Sequence, residues 1–211
     1  MNSFSPNMLK TFEACPQKYY FKYIEKISVP QKSNLFEKGK KVHALANYYL
    51  RGDDISKMEK ALNSEELKLW EILKQNEFFN KKYIASEYNI SSRIENFWIG
   101  GRLDALMQDE QNYYILDYKT GTIPQNPETD FQTIIYLTST DKMLSNKKNL
   151  YFVYIDLKNN QNQIIEFTQQ TKENYKNFLI KKCNMILDTK NFEEKKNRKN
   201  CTFCEYNKMC N

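Results

Sequence analysis

The chain has 211 residues, 40% hydrophobic and 14% aromatic, with only 5 Gly and 5 Pro; this excludes collagen-like repeats, argues against disorder and fits one domain with elaborations. Its net charge of +6, from 32 basic and 26 acidic side chains, suits a polyanionic partner without requiring one. No run nears the roughly 18 apolar residues that span a bilayer, and the opening MNSFSPNMLKTF lacks the apolar stretch of a signal peptide, so a cytoplasmic chain with no membrane partner is expected.

Ser5-Pro6 predicts a helix start, with Pro at the first helical position and Leu9 and Phe12 on one face. Cys15-Pro16 interrupts it, and Pro16 opens a second helical stretch to about Ile27. Residues 38–50 read as a helix with Val42, Leu45, Ala46 and Tyr49 on one side. Residues 56–79 read as another, with Leu62, Leu69, Trp70 and Leu73 periodic. The pattern then alternates. Strands are expected at Tyr83–Ser91, Ile94–Gly100, Arg102–Gln108 and Tyr113–Lys119, the last two joined by the turn Asp109-Glu110-Gln111-Asn112. Thr129–Leu144 returns to helix, Leu150–Leu157 and Gln163–Phe167 form a hairpin around Asn159–Asn162, and residues 170–188 are helical. From Lys181 to Lys199 there are seven basic side chains against three acidic ones, which taken alone read as a solvated face. The expected fold is α/β: one domain with a helical N-terminal part over 1–80, a core sheet flanked by helices over 81–188, and a cysteine-rich segment over 189–211.

The most informative segment is GRLDALMQDEQNYYILDYKTG, residues 101–121. Strand side chains alternate, so Asp117 and Lys119 share one face while Tyr114, Leu116 and Tyr118 point the other way, toward a core. A short connection sets Asp104 of the preceding strand beside Asp117. Two close carboxylates repel unless a cation lies between them, and hard oxygen ligands suit Mg²⁺ or Mn²⁺. Such an ion polarises a phosphoryl oxygen and activates water, while a lysine two residues on orients that water or stabilises developing negative charge. These are the parts needed to hydrolyse a phosphodiester. The plain alternative is a chance Asp-x-Lys in a chain that is 27% charged.

Two further features accompany it. His43, the only histidine, lies on the helix of residues 38–50 beside its apolar face, where a lone histidine is ordinarily structural. Gln132 and Tyr136 lie four apart, hence on one face, at the start of the next helix; there they can contact a phosphate or position Lys119, or simply form a polar first turn leading to a core tyrosine.

The ordered set His43, Gly101-Arg102-Leu103-Asp104, Asp117-Tyr118-Lys119 and Gln132 to Tyr136 resembles the RecB-like branch of the PD-(D/E)XK nucleases, over nearly the whole chain. The resemblance implies a restriction-endonuclease-like mixed central sheet. It also implies metal ligation by His43, Asp104, Asp117 and the Tyr118 carbonyl, with Lys119 as the catalytic lysine and Gln132 and Tyr136 in the catalytic set. DNA, as single strands or ends, is the implied substrate, and exonuclease action the implied reaction. Nuclease domains of this branch are joined to helicases, so a helicase or another DNA-processing protein is an implied partner. The chain itself carries no G-x-x-x-x-G-K-[ST] phosphate loop. The chief rival is a non-catalytic DNA-binding or assembly subunit that keeps the fold; intact Asp104, Asp117 and Lys119 speak against it.

Five cysteines in a reducing compartment point to metal binding or chemistry rather than disulfides. Cys201, Cys204 and Cys210 have the spacing C-x₂-C-x₅-C, and a two-residue gap lets two thiolates reach one centre. Cys15, before Pro16, is the best fourth ligand; Cys183, beside Met185 and Ile186, reads as a small buried hydrophobe. Spacing accepts either Zn²⁺ or an iron–sulfur cluster. The arrangement of one early cysteine and three late ones is similar to the iron–sulfur clasp of AddB-type nucleases and of the iron–sulfur nucleases of CRISPR adaptation. The resemblance therefore implies a [4Fe–4S] cluster on Cys15, Cys201, Cys204 and Cys210, with a structural role.

Overall fold

The computed structural model describes residues 2–29, 37–144, 148–193 and 198–210. Its centre is a six-stranded mixed sheet. Strand β3 (Phe97–Gln108) pairs along its length with β2 (Lys82–Ile94), antiparallel. Its other edge is shared: β1 (Ser3–Phe4) runs parallel to its first half, and β4 (Asn112–Lys119) antiparallel to its second. β5 (Asn149–Asp156) lies parallel to β4, and β6 (Gln161–Glu166) closes the sheet antiparallel to β5. The parallel β4–β5 step needs a crossover, which α6 (Phe131–Met143) supplies.

Both faces of the sheet are covered. On one, Ile99 and Leu103 of β3, Tyr113 and Ile115 of β4 and Phe152 of β5 meet α1 (Pro6–Ala14), α6 and α7 (Gln169–Leu187). On the other, Ala105, Met107, Leu116, Tyr118, Val153 and Ile155 meet α3 (Glu37–Leu50), α5 (Ser64–Gln75) and the Phe78-Phe79 pair. Strand β4 is therefore buried from Tyr113 to Tyr118, as strands covered on both faces are. The tyrosine face meets a core as expected; the Asp117 face meets a second one. Cys183 of α7 is fully buried in the first core, and burial pushes its thiol up to about 12.

Several local expectations change. The helix expected over 56–79 is two: α4 (Ser56–Lys60) and α5. Asn63 stops the chain between them by a reciprocal cap. Its side chain accepts from the Glu66 amide at 2.8 Å, and the Glu66 carboxylate accepts from the Asn63 amide at 2.9 Å. The segments Ile94–Gly100 and Arg102–Gln108 are not separate strands but run together as β3, because Gly100 lies against the Ile90 carbonyl and permits close cross-strand approach instead of ending the strand. The turn falls earlier, at Glu95-Asn96, with Glu95 at φ 47. The stretch from Pro16 divides into a short α2 (Pro16–Tyr19) and a π-helical turn over Tyr20–Ile24. Tyr49 of α3 is half exposed, stacking on Phe79 at 5.9 Å. In the basic run of 181–199, Lys182 pairs with Glu13, while Lys195 and Lys196 lie outside the described residues. Among the described residues no helix is long and apolar enough to cross a membrane.

Candidate active site

The site forms where β3 and β4 run side by side beneath α3 on one face and the start of α6 on the other. Alternation along β4 sends Asp117 to the α6 side with Ile115 and sends Tyr118 to the α3 side. In β3 the alternation slips: Leu103 belongs to one core and Ala105 to the other. The slip falls at Asp104, whose carboxylate Oδ2 accepts from the Tyr118 amide at 2.9 Å.

His43 reaches this point from α3, one residue past Val42 and clear of the core. Its Nδ1 lies 3.2 Å from Asp104 Oδ1, and its Nε2 lies 2.9 Å from the Tyr118 carbonyl oxygen. Burial alone would pull the imidazole down. The hydrogen bond and charge of Asp104, with the Asp117 charge and the Tyr118 carbonyl, outweigh it and carry His43 up to about 9.

Asp117 is 3% exposed. Burial first, then the Asp104 charge, raises its carboxyl above the ordinary range, while the charges of Lys119 and His43 oppose this. Lys119 Nζ stands 2.7 Å from Asp117 Oδ2, yet that buried oxygen receives no hydrogen bond of normal geometry. Gln132 ties the pair together: its amide donates to Asp117 Oδ1, and its Oε1 accepts from Lys119 at 3.3 Å. Gln132 is fixed in turn by the helix start, where Asp130 caps α6 by accepting from the Gln132 amide at 2.8 Å and pairs with Lys10 of α1 at 2.8 Å. Tyr136 lies one turn on, its hydroxyl facing the Gln132 side chain and the Arg102 backbone. Its ring lies so close to Gly101 that a Cβ there would fall 2.6 Å from Cε1. The Gly-x-x-Asp and Gln-x-x-x-Tyr segments are thus two halves of one contact.

The structure brings His43, Asp104, Asp117, Tyr118, Lys119, Gln132 and Tyr136 together. It adds Glu87 of β2, which the sequence reading missed. Ligand atoms of His43, Glu87 and Asp104 lie within 4.8 Å of one another. Nothing local in the sequence marks Glu87; only its strand pairing does. These three open onto a cleft of about 1110 Å³ whose walls carry Lys10, Lys18, Lys22, Lys40 and Arg102, with half-exposed Tyr48 beside them.

The cysteines lie apart from this centre. Cys15 is buried at the head of α2. The segment holding Cys201, Cys204 and Cys210 docks on the same helix and its π-helical continuation. Glu205 pairs with Lys18 at 2.7 Å, Tyr206 stacks on Phe21 at 5.6 Å, and its hydroxyl donates to the Ile27 carbonyl at 2.9 Å. Among the described residues, no three cysteine sulfurs lie within 4.8 Å of one another.

A family model of the PD-(D/E)XK nuclease superfamily matches residues 3–211. A crystal structure from Eubacterium rectale, described as a candidate exonuclease, is similar over 100% of this chain and 88% of its own, with a TM-score of 0.61 and 13% identity. The solved structure of SSO0001, 18% identical and matched over 100% of this chain and 86% of its own, has a TM-score of 0.43, too low to bear on the fold. No curated protein matches the chain.

Proposed function

Since the chain belongs to the PD-(D/E)XK nuclease superfamily, we propose that it is a Mg²⁺- or Mn²⁺-dependent deoxyribonuclease of the RecB/AddB-like branch, acting as an exonuclease on single-stranded DNA or DNA ends. One observation carries the reading: Asp117 and Lys119 are locked side by side by Gln132, next to an imidazole that stands between Asp104 and the Tyr118 carbonyl.

The residues fit a hard divalent ion. Asp104 meets the His43 imidazole, His43 meets the Tyr118 carbonyl, and the Asp117 carboxylate lies near enough to feel the charges of both Asp104 and His43. His43, Asp104, Asp117 and the Tyr118 carbonyl would hold it. When bound, the ion supplies phosphoryl polarisation and an acidified water. Lys119 presents an ammonium beside Asp117, where it stabilises charge developing on the phosphate or orients the attacking water. Gln132 keeps that ammonium in place, and Tyr136 keeps Gln132 in place. The lysines and Arg102 of the cleft neutralise phosphates, and Tyr48 offers a ring for base stacking.

The clasp is proposed to carry a [4Fe–4S] cluster on Cys15, Cys201, Cys204 and Cys210, with a structural role. Docking of 201–210 on the helix headed by Cys15 supports this. The single-domain division at residues 80 and 188, a helicase partner and a cytoplasmic location remain part of the same proposal.

The test is cleavage of labelled single- and double-stranded DNA, with and without Mg²⁺ or Mn²⁺, by protein purified anaerobically. Asp117→Ala and Lys119→Ala should each lower the rate by about 10²–10³ with unchanged circular dichroism. Wild-type cleavage by either variant would sink the assignment.

A further inference from the structure

We propose that Glu87 is a further carboxylate of the cation site, held by Arg102 in the cation-free protein and released when a substrate phosphate takes the guanidinium. The inference rests on the metal-site reading above and deepens it.

The register Ser86↔Ala105 and Tyr88↔Leu103 sets Glu87 of β2 opposite Asp104 of β3. Like charges directly opposite on neighbouring strands destabilise a sheet, so this pair calls for positive charge between or beside it. Two groups supply it: His43, against Asp104 at 3.2 Å, and Arg102, whose Nε lies 2.8 Å from Glu87 Oε2. Glu87 sits at φ 47 inside a strand, a left-handed backbone that a residue with a Cβ seldom adopts unless its surroundings impose it. Independently, ligand atoms of His43, Glu87 and Asp104 all lie within 4.8 Å of one another, close enough to share one ion. The Arg102 side chain is 64% exposed and lines the same cleft as Lys22 and Lys40. A guanidinium in that position meets a phosphate with two parallel hydrogen bonds. Phosphate arriving at Arg102 then frees Glu87 toward His43 and Asp104, and by reciprocity a cation held by Glu87 frees Arg102 for phosphate.

Mn²⁺ binding, read by electron paramagnetic resonance, tests this with and without a cleavage-resistant phosphorothioate thymidine oligonucleotide. In the wild type the oligonucleotide should tighten Mn²⁺ by about 5-fold or more. Glu87→Gln and Glu87→Gly should both weaken Mn²⁺ by about 10-fold and lose that coupling; glycine accepts the left-handed backbone, so the second variant keeps the fold. Arg102→Ala should bind Mn²⁺ more tightly without oligonucleotide and also lose the coupling. Unchanged Mn²⁺ affinity in either folded Glu87 variant overturns the role of Glu87, and coupling that survives Arg102→Ala overturns the exchange. His43→Ala separates the two levels. If it abolishes Mn²⁺ binding while the Glu87 variants bind normally, only the present inference falls; if it too leaves Mn²⁺ untouched, the metal site itself is refuted.

Discussion

Gly101→Ala would isolate the contact that joins two of the motifs. Gly101 is not among the positive-φ residues, so alanine suits the backbone and the cost is steric. The new methyl would stand 2.6 Å from Tyr136 Cε1, 3.2 Å from Cζ and 3.0 Å from the hydroxyl, where carbon atoms prefer about 3.5–4.0 Å. The ring must retreat by about 1 Å toward that ordinary distance, inside a helix buried on nearly every side and against Phe152 at 6.2 Å between centroids. Overpacking of this kind costs about 1–3 kcal/mol, which in a chain of this size lowers Tm by about 2–12 °C. The shift is passed to Gln132 and so to Asp117 and Lys119, and single-turnover cleavage should fall further than loss of folded protein explains. The assay is a double-mutant cycle with Tyr136→Ala, followed by thermal circular dichroism and single-turnover kinetics. Once the ring is gone, adding Gly101→Ala should cost less than about 0.5 kcal/mol. An equal cost with and without the ring would refute the contact and the relay built on it.

The remaining predictions concern the cation, the clasp and a cap. His43 is raised to about 9 in the metal-free protein from about 6.5 unfolded, so its contribution to stability is full below pH 6.5 and is lost as pH rises to 9. It amounts to about 3 kcal/mol, and metal-free His43→Gln should lack that fall in chemical denaturation. Over the same window Mn²⁺ should bind more tightly as pH rises, releasing about one proton per ion at pH 7. Calorimetry in two buffers of different ionisation enthalpy measures this, and no proton release would exclude the imidazole as ligand. Serine at Cys15, Cys201, Cys204 or Cys210 should give colourless, less soluble protein, whereas Cys183→Ser should keep iron; stoichiometric zinc in anaerobic wild type would replace the cluster but leave the clasp. Asn63→Ala should cost about 1 kcal/mol of stability by urea titration, with cleavage by the folded fraction unchanged.

What could be read from the sequence was governed by short-range periodicity. The shared face of Asp117 and Lys119 follows from strand alternation, and that of Gln132 and Tyr136 from helical spacing; the structure sets both pairs where these periods put them. The α3 face of Val42, Leu45 and Ala46 was legible for the same reason. Misreadings arose where the deciding partner is distant. Gly100 and Gly101 look like a strand break until Ile90 and Tyr136 are seen to need the space. Glu87 is an ordinary strand glutamate until β2 pairs with β3. β1 is two residues long and carries no periodicity of its own; its place comes from the edge of β3 that β4 leaves open. The Asn63–Glu66 cap, by contrast, was written locally and was hidden only by the apolar repeat that continues across it.

The clasp contacts also have an order in time. Lys18 meets Glu205 across 187 residues, and the Ile27 carbonyl meets Tyr206 across 179. At a synthesis rate of about 5–20 residues per second, the first helices wait about ten to forty seconds for the segment that covers them. By then β2, β3, β4 and α6 have been made, so His43, Asp104, Asp117 and Lys119 can assemble on a nascent chain whose cleft still lacks the buttress behind Lys18. The wall of the cleft around Lys18 is the last part to set, after the strands that carry Asp104, Asp117 and Lys119.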